Sequence, residues 1–401
     1  MQELNPQWHA AQSARCADRD TLAKLLQATR ARTLALAHAY AHALGPSLSV
    51  PYTTQINPPL WELGHIAWFQ DRWIARNTQR AVGTRCDPTW PLAPSRLAVA
   101  DGLYDSSNVA HASRWAQPLP ELQQTTEYLQ SVLDDTLRLL AQAPHGDDSL
   151  YFYRLVLFHE DMHAEAAVYM AQALGIPLGD GVAISEHRTT ATPTRGADLT
   201  LQLKATSWQL GSTGNGFAFD NELGDHPVEL TTFEIDRAPV SWRQYLAFLD
   251  DVDSQDNTNV PRYLRRDDGS GYWQCQRFGD WQALDLNAPA THLNYTQAQA
   301  WCRWAGRCLP SEAQWEYAAM TQPRFEWGRV WEWTASSFTP YPGFVPHPYR
   351  DYSAPWFDGR PVLRGASAAT AAHMVHPKYR NYFTPERNDI YAGFRSCSLP
   401  G

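Results

Sequence analysis

Apolar residues recur every three to four positions along four stretches in the first 175 residues: 21–43, 60–76, 119–143 and 148–175. That period belongs to amphipathic helices, and four of them predict a four-helix bundle. The second stretch follows Asn57-Pro58-Pro59, a favourable helix start. Residues 77–118, between the second and third helices, have no clear period and read as an irregular insert. After Gly175 the pattern changes. Short apolar runs at 205–212, 226–236, 362–367 and 391–397 read as strands between turns rich in Gly, Pro, Asn and Asp. Only 294–306 and 310–320 keep a convincing helical pattern there. The chain therefore divides into a helical domain, 1–180, and an α+β domain, 196–401, with residues 176–198 reading as a linker.

Composition narrows the function. The 401 residues carry 33 basic and 42 acidic side chains, a net of −9, with no basic block. Nothing in that balance suits nucleic acid. The first twenty residues are polar, and no stretch reaches the 18 or so apolar residues of a membrane span, so a soluble cytoplasmic protein is expected. The six cysteines, at 16, 86, 275, 302, 308 and 397, form no CxxC pair and are expected to be reduced thiols. Seventeen tryptophans and 18 tyrosines stand out more. Such density suits a loop-rich domain with large buried rings, or a pocket that receives a ring or a cation.

Candidate chemistry centres on "LFHEDMHAEA", 157–166. At about 100° per residue, His159 and His163 lie within about 40° of each other, one turn apart. Two imidazoles so placed can share a metal ion. Glu165 lies about 200° round from His163 and points away. The remaining ligand must come from elsewhere, and His65 in "WELGHIAWFQ", flanked by Leu63, Ile66 and Trp68, faces inward from the second helix. Three histidines would leave open positions for substrate and dioxygen. The competing interpretation is three core histidines, each satisfied by a hydrogen bond; chemistry alone leaves zinc and iron both open.

These residues carry a resemblance. "GHIAWF" with "HEDMHAE" resembles the DinB-like bundle of the ergothioneine-type sulfoxide synthases. "RCLPSEAQWEYAA", "VWEWTASSF", "VLRGAS" and "YAGFRSC" are similar to the formylglycine-generating-enzyme (sulfatase-modifying-factor) module, a C-type-lectin-like fold. The pair in this order covers nearly the whole chain. The resemblance implies a non-haem iron(II) enzyme that uses dioxygen to join a chalcogen substrate to C2 of the imidazole of hercynine (Nα-trimethylhistidine). It makes His65, His159 and His163 the iron ligands. It makes Tyr341, in "TPYPGF", the tyrosine that supplies a proton or hydrogen atom and steers oxidation onto the chalcogen, with Tyr349 and Tyr352 as nearby alternatives.

Departures from that family refine the substrate. Met162 stands where those enzymes carry a glutamine that meets the substrate imidazole, and it lies on the flank of the metal face. Asn381, Tyr382 and Phe383 replace an Asn-Trp-Asp run; Asn381 suits a carboxylate, and the two rings suit a quaternary ammonium or are simple core. The insert "LYDSSNVAHASRWAQPLP" lacks the arginines that hold γ-glutamylcysteine and resembles the selenoneine synthase branch, which implies a selenosugar donor. A neutral sugar asks for hydroxyl and amide partners such as Asp105, Ser106, Ser107 and Asn108, which read equally as a polar surface turn. The product would be a selenoxide, and loss of the sugar with reduction would give selenoneine.

Three alternatives remain: a sulfoxide synthase using cysteine or γ-glutamylcysteine, a zinc thiol transferase, and a non-catalytic lectin-like binding protein. Formylglycine generation is disfavoured because Cys397 stands alone, with no cysteine pair for copper. "FAFDNELGD", 217–225, offers oxygen ligands for a structural calcium ion and reads equally as solvated surface.

Overall fold

The computed structural model describes residues 6–179, 182, 199–252 and 257–400. Most of the expected linker, and both expected domain limits at 180 and 196, lie outside the described residues.

Among the described residues, six α-helices occupy the first half: α1 (Pro6–Arg15), α2 (Arg19–Leu44), α3 (Pro59–Trp73), α4 (Ala100–Tyr104), α5 (Leu122–Ala141) and α6 (Asp147–Leu174). Local chemistry sets their ends. Asp18 accepts from the Thr21 amide to start α2, Pro59 opens α3, and Glu121 with Gln124 closes a capping box on α5. Gly175 adopts φ 67° and ends α6, as a left-handed C-terminal residue should. Helices α2, α3, α5 and α6 pack together as the predicted four-helix bundle. A buried ion pair ties three of them. The Arg30 guanidinium on α2 meets Glu160 on α6 at 2.8 and 2.9 Å, and donates to Gln70 Oε1 on α3 at 2.6 Å.

Among the described residues, the second half holds four small sheets. β1 (Thr200–Leu203) pairs with β4 (Phe233–Asp236), and β2 (Thr206–Leu210) with β3 (His226–Leu230). After α7 (Trp242–Asp251) come β5 (Leu264–Arg266), β6 (Trp273–Arg277) and β7 (Asp280–Ala283), then α8 (Tyr295–Trp304) and α9 (Glu312–Thr321). The last sheet has β8 (Trp331–Ser337) and β9 (Pro361–Gly365) at its centre, flanked by β11 (Ala392–Gly393) and β10 (Asn381–Tyr382). Strands this short bury little apolar area. Tryptophans 315, 331 and 333 and three buried ion pairs, Arg364–Glu316, Arg380–Glu312 and Arg395–Glu332, fill the interior instead. Removing one partner of such a pair leaves a buried charge and costs about 3–5 kcal/mol.

Three helices escape the sequence pattern: α1, α7 and the short α4 inside the expected irregular insert. Helix α7 presents Trp242, Tyr245, Leu246 and Phe248 inward and carries a Ser241/Gln244 capping box. Its aromatic content favours strand by propensity, but the 3–4 residue spacing wins. Helix α1 leaves the bundle to lie on the second half. Trp8 joins the cluster of Leu203, Ile235 and Trp315, and Arg15 meets Glu222 at 2.5 and 3.0 Å.

The halves share one hydrophobic core, in which Phe152 and Phe158 of α6 lie with Phe217, Phe219 and Trp331. Glu165, as its helical angle predicts, turns away from His163 and accepts from Trp331 Nε1 and Ser367 Oγ, each at 2.7 Å. Asp161 reaches His373 at 2.5 Å. These contacts place the second half directly against the histidine-bearing helix. All six cysteines are free thiols, as expected.

Candidate metal centre

Helix α3 brings His65, and α6 brings His159 and His163, to one point. Their ligand atoms all lie within 4.8 Å of one another. Among the described residues this is the one group of three or more His, Cys, Asp or Glu side chains gathered closely enough to hold a metal. His65 Nδ1 lies 2.8 Å from the Tyr104 carbonyl, which leaves Nε2 for the cluster. His163 Nδ1 is held by the Glu62 carboxylate, and its Nε2 stands 3.2 Å from His159 Nε2. Two nitrogens about 2.1 Å from one ion are separated by about 3.0–3.4 Å in cis or tetrahedral geometry, so the spacing fits a shared metal.

Neighbouring rings fix the imidazoles. Trp61 stacks on His65 with centroids 4.9 Å apart, and Phe69 stacks on His159 at 3.5 Å. Gly64 has a packing reason: a methyl group there would collide with the Tyr104 ring, which must lie against α3 for its carbonyl to reach His65. Burial, then the nearby His163, pushes the His65 imidazolium down to about 3, and burial also drives His159 well below the usual range. Both are therefore neutral, as ligands must be. Burial would raise the Glu62 carboxyl, but His163 and His65 outweigh it and hold Glu62 at about 2. The donor set of three imidazoles beside one carboxylate fits a divalent metal.

A cleft of about 250 Å³ opens beside the cluster. Trp68, Phe69, Arg72 and Trp73 of α3 form one wall, Asp105–Asn108 of the insert a second, and Pro348–Asp351 of the second half a third. The structure thus brings Asp105, Ser106, Ser107 and Asn108 to one cavity, where Ser107 Oγ donates to Asp351 at 2.5 Å. They are also a polar turn: Asp105 accepts from the Ser107 amide at 3.1 Å and from Asn108 at 2.9 Å.

The tyrosines sort by position. Tyr341 is buried in the second half, donates to Glu312 Oε2 at 3.0 Å and lies under the Arg380 guanidinium at 3.9 Å. Its ring neighbour is His226, 5.0 Å away, rather than His65, His159 or His163. Tyr349 instead meets Phe69 at 4.8 Å and His159 at 6.1 Å between ring centroids. Burial, then the carboxylates of Asp351 and Asp105, push its phenol well up, so it holds its proton. From Tyr349 an aromatic row runs through Tyr352, 6.0 Å away, to Tyr382, another 6.2 Å on.

Tyr382 stacks on Phe338 at 4.0 Å, and its hydroxyl donates a hydrogen bond to the Tyr352 carbonyl. Asn381 Oδ1 accepts from the Tyr382 amide at 2.9 Å, so that oxygen is already used. Phe383 lies under Arg387 at 4.8 Å. Met162 packs against the main core and is not among the residues lining the cleft. In the acidic loop, Glu222 is held by Arg15, and Asp220 accepts from the His347 amide and Ser353, which occupies two of its three carboxylates with protein partners. Sequence reasoning missed Glu62. It sits one helical turn before His65, and that spacing was the available signal.

A family model described as "Sulfatase-modifying factor enzyme 1-like domain" matches residues 189–329. Over 439 residues the chain is 29% identical to a hercynine oxygenase of Mycobacterium tuberculosis, covering 94% of this chain and 98% of that one. It is likewise 29% identical over 446 residues to a hercynine oxygenase of Mycolicibacterium smegmatis, with the same coverage. A formylglycine-generating enzyme of Streptomyces coelicolor is 24% identical over 271 residues, 46% of this chain and 84% of that protein.

A helical half that carries a three-histidine centre, closed by a sulfatase-modifying-factor-type half, defines the class. The hercynine oxygenases align with both halves, over 94% of this chain, so the chain is similar to that family, of the ergothioneine sulfoxide synthase type, along nearly its whole length. Among the described residues no helix is long and apolar enough to cross a membrane.

Proposed function

We propose that this chain is a non-haem iron(II), dioxygen-dependent enzyme that joins a selenosugar, a 1-seleno-N-acetylhexosamine, to C2 of the hercynine imidazole. The reading also takes the bundle as DinB-like, the second half as C-type-lectin-like, and the division as 1–180 and 196–401. One observation carries it: three imidazole Nε2 atoms converge beside a cleft whose far wall presents a tyrosine from the other half.

His65, His159 and His163 would hold iron(II), which supplies the redox chemistry needed to couple dioxygen to bond formation. The overall reaction balances. A selenol, the C2–H of hercynine and one dioxygen give a C–Se bond with selenium oxidised to selenoxide, and one water. The chain's own residues bind, orient and move protons. Tyr349, rather than Tyr341, is the phenol placed to supply the proton, because it faces His159 and stays protonated. The row through Tyr352 to Tyr382 offers ring faces to a quaternary ammonium. The meeting of both halves at the cleft sets the reactants close together.

Charge supports the neutral donor. The cleft contains Arg72 and Arg350 but also Asp105 and Asp351, a balance that suits hydroxyls better than the carboxylates of a peptide thiol. The second reading, a sulfoxide synthase using cysteine or γ-glutamylcysteine, draws on the hercynine oxygenase relatives and on those same two arginines.

The test is anaerobic reconstitution with iron(II), then hercynine, oxygen and one of three donors, with products identified by mass spectrometry. A selenium-bearing hercynine product from the selenosugar alone, absent in His159→Ala, is the expected result. Efficient sulfoxide formation from either thiol would move the assignment to sulfur. Full activity with zinc and no oxygen consumption would replace it with thiol transfer.

A further inference from the structure

We propose that Glu62 is the positioning residue of the histidine cluster: it fixes His163 with Nε2 turned inward and places one carboxylate beside three imidazole ligands. The proposal rests on the metal-centre reading above. Helix α3 thereby acts twice, supplying His65 as a ligand and, one turn earlier, the carboxylate that holds a ligand of α6 across the bundle.

The outer partners of the ligands differ in kind. His65 is held by a neutral backbone carbonyl, and His159 by the face of Phe69. Only His163 has a carboxylate partner in this set, and that carboxylate is buried. Other acids on α6 are committed elsewhere: Glu160 to Arg30, Asp161 to His373 and Glu165 to Trp331 and Ser367. A divalent ion held by neutral imidazoles alone keeps its full charge in a low-dielectric interior. A carboxylate on the far nitrogen of one imidazole offsets part of that charge and raises the basicity of the donating nitrogen.

The insert supports Glu62 in turn. Asn57 donates to the other Glu62 oxygen, and Arg114 Nη1 donates to Asn57 Oδ1 at 2.7 Å. The same guanidinium lies 4.0 Å from the centroid of Trp61, the ring stacked on His65. One side chain of the insert therefore braces two ligands, one through Asn57 and Glu62, the other through Trp61.

The experiment is anaerobic titration of the metal-free full-length chain with cobalt(II), followed by chelator competition with iron(II), on wild type, E62Q and H159A. Thermal unfolding of the metal-free forms is measured alongside. E62Q keeps the size and an acceptor oxygen but loses the charge. It should bind both metals about 10–100-fold more weakly, with an altered cobalt d–d spectrum, while the metal-free melting point stays at the wild-type value. Equal affinity in E62Q and wild type would overturn the proposal. So would an affinity loss fully matched by a fall in metal-free stability, which is what a purely structural bridge predicts. If E62Q does not fold, E62D decides. It retains charge but withdraws it from Nδ1, and wild-type affinity in that variant would overturn the positioning role. Wild type that binds no cobalt at all would instead sink the metal-centre reading.

Discussion

The ring of Phe69 lies flat on that of His159, with centroids 3.5 Å apart and planes 4° from parallel. Phe69 is on α3, one turn beyond His65, so the helix that carries one ligand also clamps the ring of a second. Tyr349 closes on the same phenylalanine from the other half. Phe69→Ala should remove a buried ring at the junction of all three and cost about 3–5 kcal/mol in urea unfolding of the metal-free protein. Phe69→Leu keeps apolar volume but not the flat face. It should retain most of the stability and lose metal affinity, which equilibrium dialysis would measure; unchanged affinity would mean that packing around His159 is redundant.

Two tyrosines compete for the proton-donor role, and their surroundings separate them. Tyr349→Phe removes a hydroxyl at the cleft and should lower kcat by about 10²-fold or more, or divert products, with bound iron unchanged. Tyr341→Phe removes a bond to Glu312, which keeps its bidentate Arg380 partner. It should cost about 1–3 kcal/mol of stability and leave kcat within about twofold. The reverse pattern in single-turnover product analysis would return the role to Tyr341.

The convergence of the three histidines was legible in the sequence because an i, i+4 histidine pair is a local geometric fact, and because helix amphipathicity turned His65 inward. The rotation of Glu165 away from the site followed from the same arithmetic. The placement of Tyr349, rather than Tyr341, beside His159 could not be read from the sequence, for a physical reason. Residues 338–357 have little regular structure, and neither period nor spacing says which ring of such a loop crosses to the other half. Helix α1 hid for a related reason: the partner of Trp8 and Arg15 lies some 200 residues away in sequence, at Leu203 and Glu222. The cleft needs three separate segments, and only Asp105–Asn108 could be singled out from polarity alone.

Ser107 is an exposed side chain whose hydroxyl crosses the cleft to Asp351. A sugar hydroxyl entering there would exchange partners with this pair. Ser107→Ala should therefore raise KM for the chalcogen donor about 3–10-fold, the worth of one hydrogen bond, and leave KM for hercynine unchanged. Steady-state kinetics with each substrate varied separately would show it. A rise in KM for hercynine instead would mean that the two substrates occupy the cleft in the opposite sense.

His373 and Asp161 join the second half to the ligand helix at 2.5 Å, with Thr29 also donating to Asp161 at 3.2 Å. Burial alone would lower the His373 imidazolium, but Asp161 outweighs it and the group titrates above its ordinary 6.5. A histidine with a raised folded value contributes stability that is fully present below the unfolded value and lost as pH rises through the folded one. Stability that wild type holds over His373→Asn should accordingly be on the order of 1–2 kcal/mol at about pH 6 and shrink steadily above neutrality. Chemical denaturation of both metal-free proteins across that range measures the difference directly. A gap that stays constant with pH would show that His373 contributes by packing against Phe158 rather than by its charge.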